Sequence, residues 1–301
     1  MSSTNRRGTS ALAFVIFIAI SSGCLLHASD SLPEEIAGDY ANTPQASVSD
    51  EFDGDTLNRK KWAYRMIPKG SKEWGEGDKY VSMERDGDTG YVAIRGNWDE
   101  RKGSGLAGMN VAQFGFYSTR WRTVGIELGK ITPWHPAIWM AWENTAGGDE
   151  YRRIPMTPRR LEIDLMEYWH QPVWQIQSVG WGKGNLGMQK MRLAAPDFPT
   201  EKTGWKTVGV EYTPTYLQAW EIKEGKWHQV GKSIPFVEGE TSPTQLNKGH
   251  VQPGYWILSN KLHWSAVEKV YDGTPDLSKC LLEDSSLDVD FFRFYPLVVE
   301  E

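Results

Sequence analysis

The stretch "LEIDLMEYW", Leu161 to Trp169, places three carboxylates, Glu162, Asp164 and Glu167, in a run that is otherwise apolar and aromatic. Side chains of an extended strand alternate between its two faces, so Glu162 and Asp164 share one face. Glu167 stands at an odd separation from both and belongs on the other. A β-bulge near Leu165 and Met166, one extra residue opposing the partner strand, resets the phase and returns Glu167 to the face of the first two acids. The outer glutamates are then about 13 Å apart along the strand, at roughly 3.3 Å per residue, so their side chains must lean together over a bent surface. Two readings of the acids are open. One is a solvated strand face; the other is a cleft lined by an interior strand. The flanking Leu161, Ile163, Leu165, Met166, Tyr168 and Trp169 favour the cleft, because acids among such neighbours are desolvated unless they open onto one.

The rest of the body reads the same way. Short β-type runs such as "GYVAIRG", "FYSTRWRTVGIELG", "AIWMAW", "VWQIQSVGW", "KTVGVEY", "YLQAWEI", "GYWILSN" and "LDVDFFRFYPLVV" are separated by Gly, Pro and Asn, and no long segment carries the helical period. Many strands joined by turns predict an all-β antiparallel sandwich or jelly roll. Two G-x-G-x-x-G matches, Gly103 to Gly108 and Gly182 to Gly187, lack a following helix and read as loops, not as a dinucleotide site.

The chain has 301 residues with a formal charge of −6, so it offers no basic field and no nucleic-acid partner is expected. Fifteen Trp residues imply either an unusually aromatic core or a groove that presents flat faces to a ligand. Residues 1–28 read as an export signal, with Arg6 and Arg7 ahead of the apolar run "ALAFVIFIAI". The expected destination is the cell envelope or the exterior. Cleavage after Ala28 gives a soluble form, and Cys24 is the alternative, lipid-modified terminus. Residues 29–49, rich in Ser, Pro, Ala and acids, read as a linker. Only Cys280 remains in the body, so no internal disulfide is expected. A monomer is expected.

A pair of carboxyls close together suits retaining glycosidases, in which one is the nucleophile and the other serves as acid and then base. A carboxylate between the two raises the proton affinity of whichever must stay protonated. At "EIDLME" the chain resembles glycoside hydrolase family 16, in the branch whose E-x-D-x-x-E motif carries a bulge residue, as in laminarinases, agarases, porphyranases and κ-carrageenases. Further segments resemble the family in order: "DEFDGDTLNRKKW" from Asp50, "FGFYSTRWR" from Phe114, "PWHPAIWMAWEN" from Pro133, "WKTVGVEYTP" from Trp205, "YWILSN" from Tyr255 and "VDFFRFYP" from Val289. The resemblance implies a catalytic domain over residues 50–299. Its expected fold is a jelly-roll sandwich of two curved antiparallel sheets with a concave glycan cleft.

The resemblance also implies roles: Glu162 as nucleophile, Glu167 as general acid/base and Asp164 as the residue that tunes them. Trp139 and Arg120 are expected in the cleft, with Trp134, Trp142, Trp169, Trp181, Asn260 and Trp264 as further candidates for sugar contact. For each Trp the alternative is core packing, and for Arg120 it is a pairing with a surface acid. Asp290 matches a ligand of a structural calcium on the convex side, against the reading as a plain solvated acid, and no cofactor is expected for catalysis. Ser118 stands where glucan-cleaving members place a glutamate, "IQSVGWG" lacks a histidine common in laminarinases, and "KLHW" replaces another family stretch. Those departures weaken a simple β-1,3-glucan reading. Lys183, Lys190, Arg192 and Lys261 are compatible with a sulfated galactan or with a solvated surface. A glycan-binding module and a transglycosylase on the same fold are the competing functions.

Overall fold

A computed structural model describes residues 31–65, 77–127, 130–144, 152–154, 159–168, 174–182, 189–195, 200, 202–239, 246–263 and 280–298. The export signal, Trp169 and Trp264 lie outside these residues, as do Lys183 and the side chains of Trp181, Lys190 and Arg192.

The strands are β1 (Trp62–Tyr64), β2 (Val81–Asp86), β3 (Thr89–Gly96), β4 (Ser104–Gly108), β5 (Gly115–Val124), β6 (Trp134–Ala141), β7 (Arg159–Tyr168), β8 (Trp174–Gly182), β9 (Gln189–Ala195), β10 (Lys206–Tyr212), β11 (Tyr216–Lys223), β12 (Lys226–Val237), β13 (Leu246–Asn247), β14 (Tyr255–Leu262) and β15 (Ser285–Pro296). They form two sheets, one of seven strands in the order β1-β4-β14-β6-β7-β8-β9 and one of eight in the order β13-β12-β11-β10-β5-β15-β3-β2. All pairings are antiparallel except the short β12–β13 contact. The jelly-roll sandwich expected from the sequence is the fold observed.

Turn chemistry fixes two of the hairpins. Glu224 and Gly225, both at positive φ (52° and 76°), join β11 to β12, the geometry that matches the twist of antiparallel strands in a two-residue loop. Gly87, at φ 61°, takes the first loop position between β2 and β3. Between the sheets the core is dense in large rings, and Trp62, Trp121, Trp134 and Trp256 are each under 2% exposed. Among the described residues, much of the aromatic content therefore lies in the interior, where each such ring buries about 150–250 Å².

Residues 31–49 do not form the linker expected from their composition. Beyond Val289, β15 no longer pairs with β3, and the N-terminal segment takes the vacated edge: Ala41 and Gln45 donate to the carbonyls of Pro296 and Phe294, and Asp50 bridges to Phe292. An unpaired edge would invite association, so the strap covers a liability as well as adding bonds. Tyr40 packs with Phe116, Trp220, Trp227 and Tyr295 in a second, smaller core on the outside of the eight-stranded sheet. Its hydroxyl donates at 2.8 Å to Glu211, which is 2% exposed and also accepts from Tyr216 at 2.7 Å. Burial and the neighbouring Glu211 hold the Tyr40 hydroxyl well above the usual phenol range. Ser, Pro and acid content concealed the segment because only a few residues, Tyr40 and Val48 among them, make its buried contacts. Replacing Tyr40 with Phe keeps the ring and removes one of two donors to a buried carboxyl, so the variant is expected to lose about 1–2 kcal/mol in urea unfolding with an unchanged m-value.

Candidate active site

Strand β7 is central in the seven-stranded sheet, between β6 and β8. Its register with β6 pairs Ile138 with Met166 and Trp139 with Asp164, which leaves Leu165 opposite no residue. The register with β8 shows the same extra residue, since Asp164 pairs with Gln177 and Glu167 with Gln175. Leu161, Ile163, Leu165, Met166 and Tyr168 are all buried at 1% or less, on the side that meets the core. Glu162, Asp164 and Glu167 line a pocket of about 250 Å³ on the other face.

The floor of that pocket follows from the pairing. One row across the sheet runs Arg65, Gly105, Ser259, Ala137, Glu167. Its centre is made of small residues, and the depth of the pocket comes from what they lack. Trp139 stands in the adjoining row, and its indole N–H donates to the Ser259 hydroxyl at 3.3 Å. The Arg65 guanidinium lies 4.7 Å from the centre of the Trp139 ring. Burial pulls Arg65 down to about 10, while the negative charges of Glu162 and Glu143 oppose the shift. His135 and Lys261, directly opposite each other on β6 and β14, close one end of the pocket together with His263. His135 Nε2 is 2.9 Å from Glu167 Oε1.

Several residues expected at this site lie elsewhere. Trp134 is fully buried on the core face of β6, its Nε1 donating to the Glu283 carbonyl at 2.7 Å and its ring set against Gly96, where a Cβ would come within 2.3 Å. Asn260 alternates with Ser259 and Lys261 and so faces the interior, where its amide donates to Ser285 Oγ at 2.8 Å and to the Ile94 carbonyl at 3.3 Å, tying one sheet to the other. Trp142 is half-buried under the Arg160 guanidinium and is not among the described residues lining the pocket. Arg120 and Ser118 belong to β5, which pairs with β10 and β15 in the opposite sheet, and cannot reach the pocket.

Arg120 instead binds Asp290, Nη1 to Oδ2 at 2.8 Å. Burial raises the Asp290 carboxyl and the Arg120 charge lowers it. A guanidinium thus occupies the carboxylate that a calcium ion would need, and among the described residues no group of three or more His, Cys, Asp or Glu could hold a metal ion.

Arg65, His135, Ser259 and His263 were not singled out by sequence. For His135 a signal existed: "PWHPAIW" places it four residues before Trp139 and therefore on the same face of a strand. For Arg65 there was none, because β1 is three residues long and its place beside β4 is a long-range pairing.

Compared by sequence, the chain matches no family model and no curated protein. Compared by structure, it is similar to SCLam, a non-specific endo-β-1,3(4)-glucanase from family GH16, at 19% identity and a TM-score of 0.58 over 89% of this chain and 95% of that one. The catalytic domain LamAcat from Zobellia galactanivorans aligns at 16% identity and TM-score 0.55, over 84% of this chain and 98% of the other. A pseudo β-1,3-glucanase of Mycobacterium tuberculosis, described as an immunostimulatory antigen, aligns at 16% and 0.54 over 83% and 98%. At these identities the likeness establishes a shared fold.

Arg65, half-buried at the pocket, sets its positive charge against Glu162 and Glu143. Replacing it with Met is expected to destabilise the fold by about 1–2 kcal/mol at neutral pH, as measured by urea unfolding.

Proposed function

We propose that the chain is an exported, endo-acting retaining glycoside hydrolase of family 16 that cleaves a β-linked polysaccharide by double displacement. The observation that carries this reading is the bulge at Leu165, which sets Glu162, Asp164 and Glu167 on one face beside the Trp139 indole. Glu162 is the nucleophile. Its carboxylate attacks the anomeric carbon while Glu167 gives its proton to the departing glycosidic oxygen, forming a glycosyl-enzyme. Glu167, now a carboxylate, takes a proton from the water that attacks the same carbon and releases Glu162, with retention of configuration. Asp164, between them, keeps the proton affinity of Glu167 high by its charge. The Arg65 cation favours the ionised form of Glu162, and Trp139 offers the flat face on which a sugar ring stacks.

Both steps use the chain's own carboxylates and water, so catalysis needs no cofactor. Residues 1–28 direct the protein out of the cytoplasm, as a soluble monomer or anchored through lipid at Cys24. Two substrate classes fit. The glucanases of similar fold favour a β-1,3-glucan; the departures at "IQSVGWG" and "KLHW" weaken that choice, and the Lys261 cation at the pocket suits a sulfated galactan such as porphyran or carrageenan. A non-catalytic glycan-binding role is the second reading, supported by the similarity in fold to a protein described as a pseudo β-1,3-glucanase.

A panel of laminarin, mixed-linkage glucan, agarose, porphyran and carrageenans separates these. At least one polysaccharide should be shortened into oligosaccharides, with release of reducing ends lowered at least about 10⁴-fold by Glu162→Gln while the variant still folds and binds the glycan. Binding with no shortened chains would favour the module, and unchanged turnover in Glu162→Gln would refute the assignment.

A further inference from the structure

Glu167 makes a contact that double displacement by itself does not use. His135 Nε2 lies 2.9 Å from Oε1 of Glu167, with the two side chains only 13% and 8% exposed. The backbone of β6 aims the imidazole onto the face of Ala137 and Trp139, and the His263 ring meets it edge-on, with centres 5.7 Å apart and planes at 83°. Among the described residues, the charged and titratable groups facing it are Glu167 from β7, Lys261 from β14 and His263 just beyond β14. Asp164, Glu162 and Arg65 line the same pocket further along.

A carboxyl group that must deliver a proton and later recover one has two oxygens, and only one can address the glycosidic oxygen. We propose that His135 is a positioning residue for Glu167: its Nε2–H donates to Oε1, so that the transferred proton is always carried on Oε2. The same N–H serves both charge states. It accepts no proton from the acid form, and it stabilises the carboxylate left after the first step by a charge-assisted hydrogen bond. One oxygen then acts as acid and as base without the side chain turning over, which retains the orientation won in the first step for the second. A second proton on the imidazole would place a full positive charge against Glu167 and strip it of its own proton. The neutral imidazole is therefore the working form. This assignment rests on Glu167 being the general acid/base.

The test uses the purified full-length protein and its His135→Ala, His135→Gln and Glu167→Gln variants. On whichever polysaccharide of the panel the parent protein shortens, His135→Ala is expected to lower kcat about 10- to 100-fold with little change in KM, whereas His135→Gln, whose amide N–H reaches the same oxygen, recovers most of it. Loss through KM alone, or no recovery with Gln, would overturn the proposal. Nitrogen-15 NMR of the imidazoles, which needs no substrate and no variant, should find the neutral His135 protonated at Nε2; protonation at Nδ1 would overturn it equally. Full turnover by Glu167→Gln would instead remove the acid/base reading, leaving the NMR result to decide the His135–Glu167 contact.

Discussion

Leu165 faces no residue on β6, and the trough is organised around that one extra position. With it, five consecutive side chains of β7 can put two hydrophobic residues in a row into the core, Leu165 and Met166, and still return Glu167 to the outer face. The arrangement is held by a large difference in free energy between registers. Slipping the strand by one residue would bring Glu167 between the sheets, at an effective penalty of several kcal/mol for an unpaired buried carboxylate. The same slip would expose Met166, which is worth about 1.5–3 kcal/mol in burial. Neither cost can be offset locally, because β8 on the other side carries the same offset in its pairing. The bulge thus fixes the spacing of the acids through the core that lies beneath them.

The remainder of the molecule supports that spacing from both sides. Below, Trp62, Trp134, Trp256 and Phe292 fill the space between the sheets, and Asn260 links β14 to β3 and β15 by hydrogen bonds where a Leu would only pack. Above, the small side chains of Ala137 and Ser259 leave room, and Arg65 supplies charge to a site that would otherwise hold only carboxylates and the His135, His263 and Lys261 end. The far sheet is closed by the strap of residues 31–49, which pairs with the open stretch of β15 and buries Tyr40 over Phe116 and Trp227. Rigidity at the trough floor is therefore a property of the whole sandwich.

Much of this was legible in the sequence. The odd spacing of Glu167 from Glu162 and Asp164 demanded a bulge, and the run of strand patterns demanded an antiparallel sandwich; both follow from a period of two, which is a local rule. What escaped was non-local. Arg120 and Ser118 look like cleft residues until β5 is seen to pair with β10 and β15, and no feature of "FGFYSTRWR" tells which sheet it joins. Trp134 and Asn260 were misplaced for a simpler reason, since alternation from Trp139 and Lys261 already assigns them to the core. The strap was hidden by its composition, because Tyr40, Val48 and a ladder of main-chain bonds hold it, and main-chain bonds leave no trace in residue type.

The central claim is geometric: three carboxylates of one strand share the floor of a trough in which a sugar chain is cut. A crystal structure of the Glu162→Gln variant with a bound oligosaccharide tests it most directly. The account predicts a sugar ring against Trp139, the anomeric carbon above position 162 and the glycosidic oxygen within about 3 Å of a Glu167 oxygen. A Glu167 side chain turned between the sheets, or a sugar bound on the opposite face of the sandwich, would contradict it.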